Sequence, residues 1–188
     1  MNKKLIALAL AGGMVMAGCG NNVNKTKETK EDVTQEASTN EAASKTGLSD
    51  VKVNLDKAVE SFKEAFPNKE ITLTDISLEV EGNSYIYDVE GYDKEGEYQA
   101  SIDANSGEIL NQEEDQEKDN EDANEVLDLS SIIKADEAIE KAESANEGSK
   151  AKEWSLSVHD GYTVYEIELD NGKDVSIDAS NGEFLVFD

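Results

Sequence analysis

The chain has 188 residues, which suits one ordinary domain or two small ones, and only 37% of them are hydrophobic, too few for one large core. Its formal net charge is −26, and all 17 basic residues are lysine, so the guanidinium forks and basic patches that grip phosphates are missing and nucleic-acid binding is not expected. A single cysteine (Cys19) and a single histidine (His159) exclude an internal disulfide, a cysteine zinc cluster and a two-histidine metal site within one chain.

The amino terminus reads as an address. Lys3 and Lys4 precede a short apolar run, Leu5–Met16, and the small residues Ala17 and Gly18. The run is too short to span a bilayer comfortably. Residues 1–18 are therefore expected to be a signal peptide. Met16-Ala17-Gly18-Cys19 resembles a bacterial lipobox, with methionine where leucine is usual. That resemblance implies lipid attachment (diacylglyceryl and palmitate-type acyl chains) at Cys19 and cleavage just before it. The mature chain would be a lipoprotein of the cell membrane, facing the extracellular side of a Gram-positive-type envelope. Two buried acyl chains hold a protein stably on a bilayer. Residues 19–50 are polar, without apolar periodicity, and read as a disordered tether. A coil of that length spans about 30 Å between its ends.

Beyond the tether the period becomes helical. Leu55, Ala58, Val59, Phe62 and Phe66 form one apolar stripe, Asn54 is placed to cap it, and Pro67 stops it. The period then changes to two. Ile76, Leu78 and Val80 alternate with polar residues up to a turn at Gly82-Asn83. Tyr85, Tyr87 and Val89 follow, then a turn at Glu95-Gly96, then Tyr98, Ala100, Ile102 and Ala104. Strands joined by short turns form an antiparallel meander with one apolar face, which a single helix can cover.

The acidic run 113–130 reads as a solvated linker, after which the same pattern returns. ADEAIEKAESAN at 135–146 matches LDKAVESFKEAF at 55–66, and WSLSVHDGYTVYEIE at 154–168 matches ISLEVEGNSYIYDVE at 76–90. SIDASNGEFL at 176–185 nearly repeats SIDANSGEIL at 101–110. The second helix is poorer, with Lys134, Ala142 and Asn146 in place of Asn54, Phe62 and Phe66. Trp154, Phe184 and Phe187 are the residues available to refill its core. The expected fold is α+β, two small domains at 51–112 and 131–188, each one helix on a three- to four-stranded antiparallel sheet. About sixty residues make a marginal unit alone, so the two either pack together or sit as separate beads.

Each copy resembles a PepSY domain. The resemblance rests on the helix pairs Ala58-Val59 and Ala138-Ile139 and the strands Tyr87-x-Val89 and Tyr165-x-Ile167. It rests most on the endings Ile102-Asp103-Ala104-x-x-Gly107-Glu108-Ile109 and Ile177-Asp178-Ala179-x-x-Gly182-Glu183-Phe184. PepSY domains occur in propeptides of secreted metallopeptidases, in a spore-germination protein and in free-standing envelope lipoproteins. The resemblance implies a membrane-tethered, non-enzymatic binding module that inhibits, regulates or chaperones a secreted peptidase or envelope protein. It carries over no catalytic residue, cofactor or metal.

The remaining candidates are surface features. Ile86, Tyr92, Tyr162 and Val164 fall on the otherwise polar strand face and form a candidate partner surface. His159, with Ser155 and Ser157 on the same face, is the one neutral-pH base, but an open strand face offers no desolvated pocket for catalysis. The turn around Asp93 and the acidic run 113–122 match no calcium loop and leave room only for weak divalent-cation binding. The alternative reading of the whole is a structural or cation-buffering surface lipoprotein without a dedicated partner.

Overall fold

The computed structural model describes residues 48, 51–116 and 125–187, all within the compact unit 43–188. The signal, the lipobox at Met16–Cys19, most of the tether and the linker centre at 117–124 lie outside the described residues. Helix α1 (Leu55–Ala65) is followed by strands β1 (Thr72–Glu81), β2 (Ser84–Tyr92), β3 (Glu97–Asp103) and β4 (Ile109–Asp115). The second copy gives α2 (Ala135–Ala145), β5 (Ala151–His159), β6 (Tyr162–Leu169), β7 (Asp174–Asp178) and β8 (Phe184–Leu185). No helix among the described residues is long and apolar enough to cross a membrane.

Both copies are helix-plus-meander units, and they do not sit as separate beads. The strands form one eight-stranded antiparallel sheet in the order β4-β3-β2-β1-β5-β6-β7-β8. The first strand of each meander has one edge left over, and these edges pair: Ile76 lies opposite Leu156, Ser77 opposite Ser155, and Leu78 opposite Trp154. A pseudo-twofold relation thus runs through Ser77 and Ser155. Both helices cover the same face, and one continuous cluster runs from Phe62 and Phe66 through Leu78, Tyr87 and Trp154 to Tyr165 and Ile177. Merging two marginal cores in this way raises the apolar area each removes from water.

The helices differ as their sequences do. The Asn54 side chain accepts a hydrogen bond from Lys57 N at 2.9 Å, whereas Lys134 offers no side-chain cap. Phe62, Phe66 and Tyr98 make an edge-to-face chain under α1, with centroids 5.2 and 5.1 Å apart. Beneath α2 the refilling is only partial. Trp154 is buried, but it stands at the junction of the copies, edge-on to Tyr87 at 5.9 Å and Tyr165 at 5.7 Å. Phe184 stays 52% exposed, and Phe187 lies against His159 at 4.3 Å, so neither replaces the missing phenylalanines.

Strand β4 continues to Asp115, so residues 113–115, expected in the linker, belong to the sheet. At the linker's other end Leu127 is buried and its amide donates to the Leu73 carbonyl at 2.9 Å, ahead of a 3-10 turn at Leu129–Ser131. The apolar residues Val126, Leu127 and Leu129 interrupt the acidic run and were the sequence signal for this docking.

Candidate interaction surface

The helix-free face of the sheet is strongly acidic. The register Ser101–Asp88–Ser77–Ser155–Glu166–Ser176 forms its middle row. Asp75 lies one step to one side of it, opposite Glu90. Asp75 is half-buried, and its carboxyl is pushed up to about 7, first by burial and then by the neighbouring charges of Glu90, Glu79, Glu125 and Asp88. Glu79 is raised as well, chiefly by burial. Glu125 reaches Asp75 from the linker segment whose Leu127 is pinned to β1. Lys152, paired with Glu168 at 2.8 Å, is a cation held at this sheet's second half.

The four residues expected as a partner surface are not one exposed patch. Ile86 and Val164 are 7% and 4% exposed, in register between Glu79 and Asp103 and between Ser157 and Asp178 respectively. Both lie outside the main core cluster, so they are small satellites of burial on the acidic face. Short aliphatic side chains on a pleated surface are readily covered by longer cross-strand neighbours. Tyr92 is half-buried at the far end of β2 from Ile86, and Tyr162 is 51% exposed. Of these four, only Tyr162 presents an aromatic face to solvent. His159 lies opposite Tyr162, exposed, with Nε2 3.8 Å from Asp160 Oδ2 and its ring on Phe187.

The turn at Asp93 is internally satisfied. Asp93 Oδ1 accepts from Glu95 N (2.6 Å), Gly96 N (3.2 Å) and the Tyr98 hydroxyl (3.0 Å). Those donors outweigh burial and hold its carboxyl below the usual range. Lys69 pairs with Glu95 at 2.8 Å and Glu114 at 3.2 Å. Among the described residues no cluster of three or more His, Cys, Asp or Glu is arranged to hold a metal ion.

The repeated sequence features are structural anchors. The hydroxyls of Tyr87 and Tyr165 donate to the carbonyls of Val53 and Ile133, 2.9 and 3.1 Å away, and burial pushes both phenols up. Each tyrosine thereby fixes the chain just before a helix. The closing segments fix it from the other side: Val53 N donates to the Ala104 carbonyl at 2.9 Å and Ile133 N to the Ala179 carbonyl at 2.7 Å. Asp103 Oδ1 accepts from Asn105 N, Ser106 N and Ser106 Oγ at 2.8–3.0 Å, and Asp178 Oδ1 accepts from Ser180 N and Ser180 Oγ at 2.8 and 2.6 Å. Gly107 and Gly182 follow at φ +78 and +74, a region glycine enters without steric cost. These aspartates are occupied by their own turns, which assigns the repeated stretch a folding role rather than a catalytic one.

Sequence reading missed the seam between the copies. On its helix side lies a groove of about 400 Å³ whose lining includes Val51, Leu55, Ile132, Ile133, Ile139 and Trp154. Leu48, at the end of the tether, packs there too.

Comparison with known proteins agrees with this architecture. A family model described as "Peptidase propeptide and YPEB domain" matches residues 52–113 and 132–185. The chain is similar to a crystal structure of a candidate lipoprotein from Clostridium difficile 630, with 32% identity and a TM-score of 0.67 over 75% of this chain and 97% of the other. A search of curated proteins gave no match. With a helix-plus-meander unit present twice and the family model matched by each copy, the chain belongs to the PepSY family as a tandem member.

Proposed function

We propose that the chain is a lipid-anchored binding module on the outer side of the cell membrane, which restrains or assists a secreted peptidase or another envelope protein. The observation that carries this reading is the peptidase-propeptide family matched twice in one chain, behind the lipobox Met16–Cys19. The lipoprotein description of the similar Clostridium difficile structure supports the anchoring half. In this reading Cys19 starts the mature protein, residues 19–50 hold it off the bilayer, and the two copies act as one body through their shared sheet. An exposed histidine on a strand end and aspartates committed to turns favour binding over catalysis. A charge of −26 favours a partner with a basic surface.

Crosslinking on intact cells, followed by mass spectrometry, tests the reading. The expected result is a reproducible complex with a secreted peptidase or envelope protein, weakened when Cys19→Ser releases the chain from the membrane. Recovery of no reproducible partner would sink it. A sharp rise in stability at sub-millimolar calcium would instead favour the cation-buffering alternative.

A further inference from the structure

The two outer edges of the sheet are unequal. Strand β8 has two residues and pairs only with Ser176 and Ile177. Strand β4 has seven residues, every one exposed, and pairs with β3 from Glu97↔Asp115 to Ile102↔Ile109. On β3, Ala104 bonds towards β2 and Asp103 towards the β4 side, so odd-numbered residues of β3 serve β4. Their partners Asn111, Glu113 and Asp115 therefore turn their backbone groups inward, and Gln112 and Glu114 turn theirs away from the sheet. A long edge of this kind is a ready template for another extended chain.

Two further features select the occupant. Beside the edge, on the helix side, is a groove of about 370 Å³ lined by Ala65, Phe66, Pro67, Lys69, Gln112 and the two glutamates that follow. Its apolar wall is Ala65, Phe66 and Pro67 at the end of α1, and it lies on the side of β4 to which Gln112 and Glu114 project, opposite Ala100 and Tyr98. The other side of β4 carries Glu113 and Asp115. Like charges directly opposite one another are unfavourable across strands, so a second copy of β4 is a poor partner.

We propose that the β4 edge accepts an extended, basic polypeptide segment as a ninth strand, apolar side chains seated in the Ala65–Pro67 groove and lysine or arginine on the opposite side against Glu113. The inference rests on the binding-module reading and names the surface through which it works. Main-chain bonds to Gln112 and Glu114 give affinity, and the alternation of apolar and basic residues gives specificity.

The test uses the full chain and a dye-labelled, end-capped octapeptide of alternating lysine and valine, with a lysine–glycine octapeptide of equal charge as the comparison. The expected result is saturable binding of the lysine–valine probe, at least about tenfold tighter than the lysine–glycine probe. Gln112→Pro, which removes an outward amide from an edge where proline is tolerated, weakens it at least about tenfold. Glu113→Lys, which leaves the backbone intact, weakens it as well. Val186→Pro beside the short β8 edge changes it by less than about twofold. Equal binding of both probes, equal losses at the two edges, or no binding by the folded chain would overturn the proposal. So would self-association of the chain that Gln112→Pro abolishes. If Gln112→Pro still captures the same partner on cells, the edge is wrong and the module reading stands. If the wild type captures none, the module reading falls, and the octapeptide still decides the edge.

Discussion

Asp75→Asn separates electrostatic cost from packing on the acidic face. An aspartate carboxyl ordinarily titrates at 3.8, and Asp75 in the folded protein is pushed up to about 7 by burial and by Glu90, Glu79, Glu125 and Asp88. The folded state therefore holds its proton over a range where the unfolded state has lost it. The contribution of Asp75 to stability falls as pH rises from about 4 to about 7, at up to about 1.4 kcal/mol per pH unit, and its cost is complete above 7. The full span corresponds to about 4 kcal/mol, and screening at a half-buried site still leaves at least about 2 kcal/mol. Asparagine has nearly the same shape and no charge. Urea unfolding of wild type and Asp75→Asn at pH 8 and pH 5 provides the assay. The variant is expected to be more stable at pH 8 by about 2–4 kcal/mol, moving the midpoint by about 1 M urea or more. The gap should shrink by roughly 2 kcal/mol at pH 5, because the wild type regains its proton there. A gap that does not change with pH, or a variant less stable at pH 8, would show that Asp75 carries no such electrostatic cost.

Other substitutions probe the joint and the anchors. Trp154→Ala removes the ring between Tyr87 and Tyr165 and should cost about 3–5 kcal/mol, with hydrogen exchange accelerated in β1 and β5 together. Acceleration confined to β5 would mean that the copies are energetically separate. Asn54→Ala should cost about 1 kcal/mol by loss of the α1 cap, and Lys134→Asn should add up to about 1 kcal/mol by supplying the cap α2 lacks, both read by chemical denaturation. Tyr87→Phe leaves the Val53 carbonyl without its buried donor and should cost about 1–2 kcal/mol in thermal unfolding.

What the sequence made legible was local. Asn54 before an apolar stripe, alternation ending at Gly82-Asn83 and the Asp-to-Gly closing turns each depend on residues a few positions apart, and each forms as read. The pairing of β1 with β5 depends on two strand edges far apart in the chain, which no local period encodes. Alternation placed Ile86 and Val164 on the right face but could not report their burial, which depends on which side chains stand across from them. No local pattern sets Asp75 apart from the other acids of the chain. Its raised titration arises from strand register and from the returning linker, which bring Glu90 and Glu125 to it. Phe184 was legible as apolar but not as exposed; it borders a groove beside Lys141 and Ala145 of α2 rather than passing beneath the helix.

The proposed role requires that this tandem PepSY body binds a partner rather than merely standing beside one at the membrane. Titration of the crosslinked partner, purified, with the purified full chain tests that directly by calorimetry. Saturable binding at one partner per chain, weakened by high salt, is the expected result, since the two copies share one sheet. Two independent binding events per chain, or no saturable binding at all, would contradict it.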